Sequence, residues 1–278
     1  MSANHLIYAM LSHRGRVRQG NEDACAALPE SGAYVVCDGM GGAAAGEVAS
    51  HLAADTFIAH LAPPVGGESQ AAKPPTRLNN AIQAANHAVY HQSRHSPQYS
   101  GMGTTLVALL HVPMSNGSHA GARKSSANHM NSRATDPPTL WLANVGDSRC
   151  YRRRKGRLEQ LTDDHSLVEE QLRAGQITAE QAAESPMRNL ITRAVGSQAT
   201  VEADIQSHRP QPNDMYLLAS DGLTHEVSDE EISKILAKVP APYTQEALTQ
   251  ACEALITAAN RNGGNDNITV LLTAVSAG

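Results

Sequence analysis

The 278-residue chain is expected to fold as an α+β sandwich, with antiparallel sheets packed on one another and helices outside. Three observations point there. Short apolar runs ending at Gly, Asp or Asn recur along the chain. Helical periodicities are equally plentiful, yet strands and helices do not alternate strictly, as a doubly wound parallel sheet requires. Between Leu140 and Leu161, strand-like runs are joined by the short turns Gly146-Asp147-Ser148 and Lys155-Gly156, a meander that suits antiparallel neighbours.

The strand candidates, in order, are Ala33–Cys37, Thr104–Leu110, Leu140–Val145, Cys150–Arg152, Met215–Ala219 and Ile268–Val275. Most are rich in Val, Leu or Ile, the signature of strands buried on both faces. The helix candidates begin with Ala43–Ala59, which is Ala-rich with Val48, Leu52, Phe57 and Ile58 supplying bulk. Arg77–Ser93 follows, placing Leu78, Ile82, Ala85 and Val89 at helical spacing. Ser228-Asp-Glu-Glu231 reads as a capping box opening a helix with Ile232, Ile235, Leu236 and Val239 on one face. Thr244–Asn260 repeats Leu248, Cys252, Leu255, Ile256 and Ala259 and stops at Gly263-Gly264. Two segments read as solvated insertions: Pro63–Thr76, rich in Pro, Gly and Ala, and Pro113–Pro138, nearly devoid of large apolar side chains and expected to be a disordered loop. Strands of one style continue on both sides of each, so a single domain over residues 1–278 is expected.

Composition narrows the function classes. Hydrophobic content of 41% allows a sizeable core, built from Ala, Val, Leu and Ile because aromatics are only 3%. The net charge, 22 − 27 = −5, excludes a broad polycationic nucleic-acid binder. No run approaches 18 apolar residues and Met1–Met10 lacks a signal-peptide pattern, so neither a membrane span nor secretion is expected. Cys25, Cys37, Cys150 and Cys252 lie far apart with no C-x-x-C. They read as reduced, small buried residues of a cytoplasmic protein.

The informative feature is where the aspartates fall. Asp38, Asp147 and Asp221 each follow an apolar strand, and Asp266 precedes one; each has a glycine beside it or close by. Strand ends of packed sheets converge at an edge, where four carboxylates would repel one another unless cations lay between them. An all-oxygen donor set without a Cys or His pair selects hard ions, Mg²⁺ or Mn²⁺, over Zn²⁺. Any one of these aspartates alone also fits an Asx-turn or a helix cap. A second cluster, Arg18, Asn21, Glu22 and Asp23, reads either as a polar turn or as a phosphate-binding arginine beside metal-facing carboxylates.

Seven segments, in order from Leu11 to Leu272, carry a family resemblance. They are Arg18-Gln-Gly-Asn-Glu-Asp23, Val36-Cys-Asp-Gly-Met-Gly-Gly42, Gly103-Thr-Thr105, Asn144-Val-Gly-Asp-Ser-Arg149, Leu161-Thr-Asp-Asp-His-Ser166, Ala219-Ser-Asp-Gly-Leu223 and Gly264-Asn-Asp-Asn-Ile-Thr-Val270. The chain thereby resembles the metal-dependent type-2C protein phosphatases, in the style of their compact bacterial branch. The resemblance implies a four-layer α-β-β-α sandwich, two central antiparallel sheets flanked by helix pairs. It implies an enzyme hydrolysing phosphoserine and phosphothreonine by direct attack of a metal-bridging hydroxide, without a phosphoenzyme.

By position, Asp38 matches the aspartate bridging two Mn²⁺ or Mg²⁺ ions, and Gly39 matches the residue whose carbonyl binds one of them. Asp221 and Asp266 match ligands of the other. Glu22 and Asp23 match an acidic pair reaching the metals directly or through water. Asp147, with Asp221, matches the site of a third, weaker ion. Arg18 matches the arginine holding the substrate phosphate, and Asn267 a polar neighbour of the last aspartate. Residues 166–193 match a mobile flap over the metal edge, with a capping box at Thr178–Gln181 and two short helices expected. One departure is Met40, which stands where some members carry a histidine proposed as general acid; a thioether has no proton to give. His13 and His165 are weak substitutes, His165 reading first as structural. The partners implied are phosphorylated proteins, substrates of a cognate bacterial Ser/Thr kinase, acted on by a cytoplasmic monomer with no nucleic-acid or membrane role. The competing readings are a catalytically inactive phosphoprotein-binding relative and a metallohydrolase of another phosphoester.

Overall fold

The computed structural model describes residues 6–63, 72–113, 137–187 and 189–276. The interior of the expected Pro113–Pro138 loop, residues 114–136, and the 64–71 part of the first insertion lie outside them. The chain opens with strands β1 (Leu6–His13), β2 (Asp23–Leu28) and β3 (Ala33–Met40), then helices α1 (Ala43–Leu61) and α2 (Pro74–His95). Strands β4 (Gly103–Thr104), β5 (Leu106–Val112), β6 (Thr139–Val145), β7 (Arg149–Arg154) and β8 (Arg157–Gln160) follow. Two short helices, α3 (Leu167–Arg173) and α4 (Ala179–Glu184), occupy the expected flap segment. The rest is β9 (Asp204–His208), β10 (Met215–Ala219), α5 (Asp221–Thr224), α6 (Asp229–Leu236), α7 (Gln245–Asn262) and β11 (Ile268–Val275).

These strands form two sheets, ordered β1-β11-β10-β7-β8 and β2-β3-β5-β6-β9, with β4 added onto β3. Every pairing between the strands is antiparallel. Strand alternation sorts the apolar side chains into the three interfaces of a four-layer stack. On β3, Tyr34 and Val36 join Leu109, Leu142, Leu218 and Leu271 between the sheets. Val35 and Cys37 point the other way, against Phe57 of α1 and Ile82 of α2. On β11, Val270 and Leu272 pack on the opposite outer layer with Leu248 and Leu255 of α7. The expected α+β sandwich with helix pairs outside is the observed fold.

Differences from expectation have local causes. Helix α2 starts at Pro74, inside the segment read as an insertion, because proline is well placed in a first helical turn. The Thr104–Leu110 run breaks at Thr105 into β4 and β5 and continues to Val112. Ser228 caps α6 by accepting from Glu231 N at 3.3 Å, but the reciprocal half of the box is missing: the Glu231 carboxylate pairs with Arg261 instead. The box at Thr178 is complete, with Gln181 bonding back to Thr178 N. All four cysteines are free, and Cys37, Cys150 and Cys252 are buried.

Candidate metal centre

The predicted side chains collect at one edge of the sandwich because each stands where a strand begins or ends. Asp38 lies near the end of β3, directly opposite Asp23 at the start of β2. Asp221 opens α5 straight after β10, Asp266 precedes β11, and Asp147 sits in the turn from β6 to β7. The resulting cleft, about 730 Å³ and open to solvent, is lined by Arg18, Glu22, Asp38, Gly39, Asp147, Asp221 and Asp266. Of the eight residues that the resemblance assigns to metal or phosphate, only Asp23 is not in the wall; it lies beneath, 3% exposed.

Hydrogen bonds from distant segments fix this arrangement. Asp38 N donates to Thr105 Oγ1 at 2.9 Å, and its carbonyl accepts from Thr105 N at 2.9 Å and Thr104 Oγ1 at 2.8 Å. Asp23 Oδ2 accepts from Ser220 Oγ at 2.8 Å. Asn267 organises the loop carrying Arg18 and Glu22: its Oδ1 accepts from Glu22 N, and its Nδ2 donates to the carbonyls of Arg14 and Gly20. Gly39 and Gly46 are glycine because there is no room for more: a Cβ on Gly39 would overlap the Gly46 carbonyl, and one on Gly46 the Glu22 carboxylate. Thr105, Ser220 and Asn267 as braces carry no signal beyond their place inside the quoted segments.

The electrostatics are those of crowded, buried acids. Burial, and then repulsion from Asp23, Asp221, Asp147 and Asp266, holds the Asp38 carboxyl well above the usual range. Burial first, then neighbouring carboxylates, pushes Asp23 up to about 7 and Asp147 up to about 8. Asp221 is also raised by burial, with His225 opposing; His225 Nδ1 lies 3.3 Å from Asp221 Oδ2. Glu22 is raised by burial as well. Among the described residues the cation in the wall is Arg18, 2.7 Å from Asp266 Oδ2 and 3.9 Å from Glu22 Oε1.

This edge fits divalent cations. Asp23 Oδ1 and Asp221 Oδ1 are buried and accept no hydrogen bond, so each has a lone pair to give. Among the described residues no three acidic, His or Cys side chains cage a single point as they stand, so ions would have to draw them inward. The acidic side chains of the wall, Glu22, Asp38, Asp147, Asp221 and Asp266, offer oxygen donors, which suit hard ions. His13 is elsewhere: its Nδ1 accepts from Gly15 N at 3.0 Å and lies 3.3 Å from Asn260 Nδ2. Among the described residues no histidine lines the cleft, while Met40 does.

Fold and site together define a class: a four-layer α-β-β-α protein with an acid-lined cleft at one edge of its sandwich. Residues 12–121 match the family described as protein phosphatase 2C. The chain is 36% identical over 266 residues to the serine/threonine phosphatase stp of Listeria monocytogenes, covering 93% of this chain and 92% of that one. It is 38% identical over 270 residues to the serine/threonine protein phosphatase PstP of Mycobacterium tuberculosis, covering 97% of this chain but 45% of PstP, so it spans less than half that protein's length. It also superimposes on the catalytic domain of PstP in complex with two manganese ions, with a TM-score of 0.76, 34% identity and coverage of 98% and 99%. The chain belongs to the protein phosphatase 2C family.

Proposed function

We propose that the chain is a Mn²⁺- or Mg²⁺-dependent phosphatase of phosphoserine and phosphothreonine in proteins. Residues 1–278 then form one catalytic domain with a flap at 166–193. One observation carries the reading: Asp38, Asp147, Asp221 and Asp266, far apart in the chain, meet in a single cleft with Arg18 at its wall. Asp38 would be shared by two ions, one of them also held by the Gly39 carbonyl and the other by Asp221 and Asp266. Glu22 in the wall and Asp23 beneath it would reach the ions directly or through water. Asp147, with Asp221, would take a third and weaker ion. The manganese pair in the PstP catalytic domain supports metal dependence here.

Bound divalent ions supply an activated water and offset charge on the phosphoryl group. The chain's own residues do the rest. Arg18 presents a planar fork to two phosphate oxygens, exchanging its bond to Asp266 for the substrate. The Thr105 brace holds the Asp38 backbone at both its N–H and its carbonyl, so the carboxylate is aimed before substrate arrives. Met40 lines the cleft without a proton to give, so the leaving serine or threonine oxygen is protonated from another source.

The substrates are phosphoproteins, in this reading those of a bacterial Ser/Thr kinase, and the enzyme works as a cytoplasmic monomer. Among the described residues no helix is long and apolar enough to cross a membrane. Retention of Asp38, Asp221 and Asp266 speaks against an inactive phosphoprotein-binding relative. The test is phosphate release from a phosphothreonine peptide and from an aryl phosphate. EDTA should abolish it and Mn²⁺ restore it; no turnover by metal-replete protein overturns the reading.

A further inference from the structure

We infer that His165 is a positioning residue that ties the Asp147 turn to the base of the flap, so that one buried side chain sets both. Its consequence for metal binding rests on the phosphatase reading above; its geometry does not. His165 is 2% exposed, and each of its polar atoms is engaged. Its backbone N donates to the Gly146 carbonyl at 3.0 Å, and its own carbonyl accepts from Thr192 N at 2.8 Å. Its Nδ1 accepts from Gly146 N at 3.1 Å. Its Nε2 lies 3.2 Å from Asp204 Oδ2 on β9. An amide N–H only donates, so Nδ1 must present its lone pair, and the ring proton sits on Nε2, donated to Asp204. Arg193 Nη1 reaches the other oxygen, Asp204 Oδ1, at 3.1 Å, passing 3.4 Å from Nε2.

Both polar groups of Gly146 are therefore held by one residue 19 positions away, the carbonyl also accepting from Asn144 Nδ2 at 3.2 Å. Gly146 has no freedom on its other side. It sits at φ +102°, and a Cβ there would overlap the Thr105 side chain. Thr105 is the residue that braces Asp38, and its Oγ1 lies 2.7 Å from Ser148 Oγ. A continuous set of bonds thus runs from Asp38 through Thr105 to the 146–148 turn and on to His165, with Asp147 in the middle. On the far side of His165 the two ends of the flap segment meet. Ser166 and Ile191 form an isolated antiparallel bridge, Leu167 N donates to Leu190 O at 2.9 Å, and Ile191 is itself in the cleft wall. Movement of the flap base must therefore be felt at Gly146, one peptide from the Asp147 carboxylate, through the atoms of His165. An ordinary buried histidine would contribute packing and stability alike to its surroundings, without this selectivity.

Two conservative replacements separate the halves of the tie. In His165→Asn the side-chain oxygen stands near the Nδ1 position and still accepts from Gly146 N. In His165→Gln the amide reaches the Nε2 position and still donates to Asp204. The experiment measures amide hydrogen exchange over residues 144–148 and 189–193, and Mn²⁺ affinity by calorimetry. His165→Ala should speed exchange at Gly146 at least tenfold and weaken Mn²⁺ binding about tenfold. His165→Asn should restore most of both, and His165→Gln should leave Gly146 exchanging fast. Asp204→Ala, on a half-exposed side chain, keeps the measurement possible if His165→Ala does not fold; it should loosen 189–193 several-fold and Gly146 less. Unchanged Gly146 protection in folded His165→Ala, equal behaviour of the Asn and Gln variants, or no effect of Asp204→Ala on 189–193 would overturn the inference. Should the wild-type chain fail to bind Mn²⁺ or turn over phosphate, the phosphatase reading falls, while the exchange data still decide the tie.

Discussion

Replacing Asp147 by Asn should stabilise the metal-free protein while weakening its hold on cations. Asp147 is buried, and its carboxyl is raised from 3.8 to about 8 by burial and then by Asp221 and Asp164. The folded chain therefore binds this proton more tightly than the unfolded chain does. Its destabilising contribution is absent below about pH 4, grows as pH rises towards 8, and then levels off. At pH 7 the unfolded carboxylate is about 3 pH units past its own midpoint. At 1.36 kcal/mol per unit that is about 4 kcal/mol against folding. Neighbouring carboxylates share the same protons and relax when one is removed, so the gain from Asn falls between about 1 and 4 kcal/mol. That corresponds to a melting temperature raised by about 3–12 °C. The assay is thermal unfolding of EDTA-treated wild type and variant at pH 5 and pH 7, repeated with Mn²⁺. The variant should gain more at pH 7 than at pH 5, and saturating Mn²⁺ should close part of the gap by stabilising the wild type more. A less stable variant at pH 7 in EDTA, or a gain that does not shrink at pH 5, refutes the reasoning.

Further outcomes follow from the same geometry. Asp38→Ala should abolish high-affinity Mn²⁺ binding in calorimetry and lower turnover by about a thousandfold or more; near-normal rates would show that another group is the shared ligand. Arg18→Ala removes a charge-assisted fork of about 1.5–3 kcal/mol, so KM for a phosphopeptide and the Ki of inorganic phosphate should both rise about 10–100-fold, with kcat less affected. Thr105→Val keeps the shape of the brace and leaves Asp38 N without its side-chain acceptor. It should cost about 1–3 kcal/mol in denaturant unfolding and weaken Mn²⁺ binding, and a variant indistinguishable from wild type would remove Thr105 from the site.

The sequence is most legible where burial is two-sided. Met215–Ala219 and Ile268–Val275 are central strands, all but fully buried, and their apolar runs have the observed boundaries. The strands that escaped lie towards the margins of the sheets. On β9, Asp204-Ile-Gln-Ser-His208 is largely exposed and polar, and only its register against β6 makes it a strand. On β2, Asp23–Leu28 is half alanine, with little β propensity of its own. The acidic cluster was readable because an aspartate beside glycine at a strand end is a local pattern. Its supports were not, because they are relationships across the chain. Asn86 shows this outside the site: a buried polar residue on an apolar helix face, it accepts from Gly196 N and donates to the carbonyls of Gln198 and Ala199. No window around residue 86 contains those partners.

The two sheets do not share their burden evenly along their common face. Over most of its length Tyr34, Leu109, Leu218 and Leu271 glue them together. At the acidic margin, Asp23 and Asp38 hang from one sheet, Asp221 and Asp266 from the other, and among the few links between them is the bond from Ser220 to Asp23. That margin is a seam under electrical pressure, and a dication lodged in it would act as a rivet as much as a reagent. On the phosphatase reading, the supply of divalent metal would govern how firmly the halves of the molecule are fastened, as well as how fast it works.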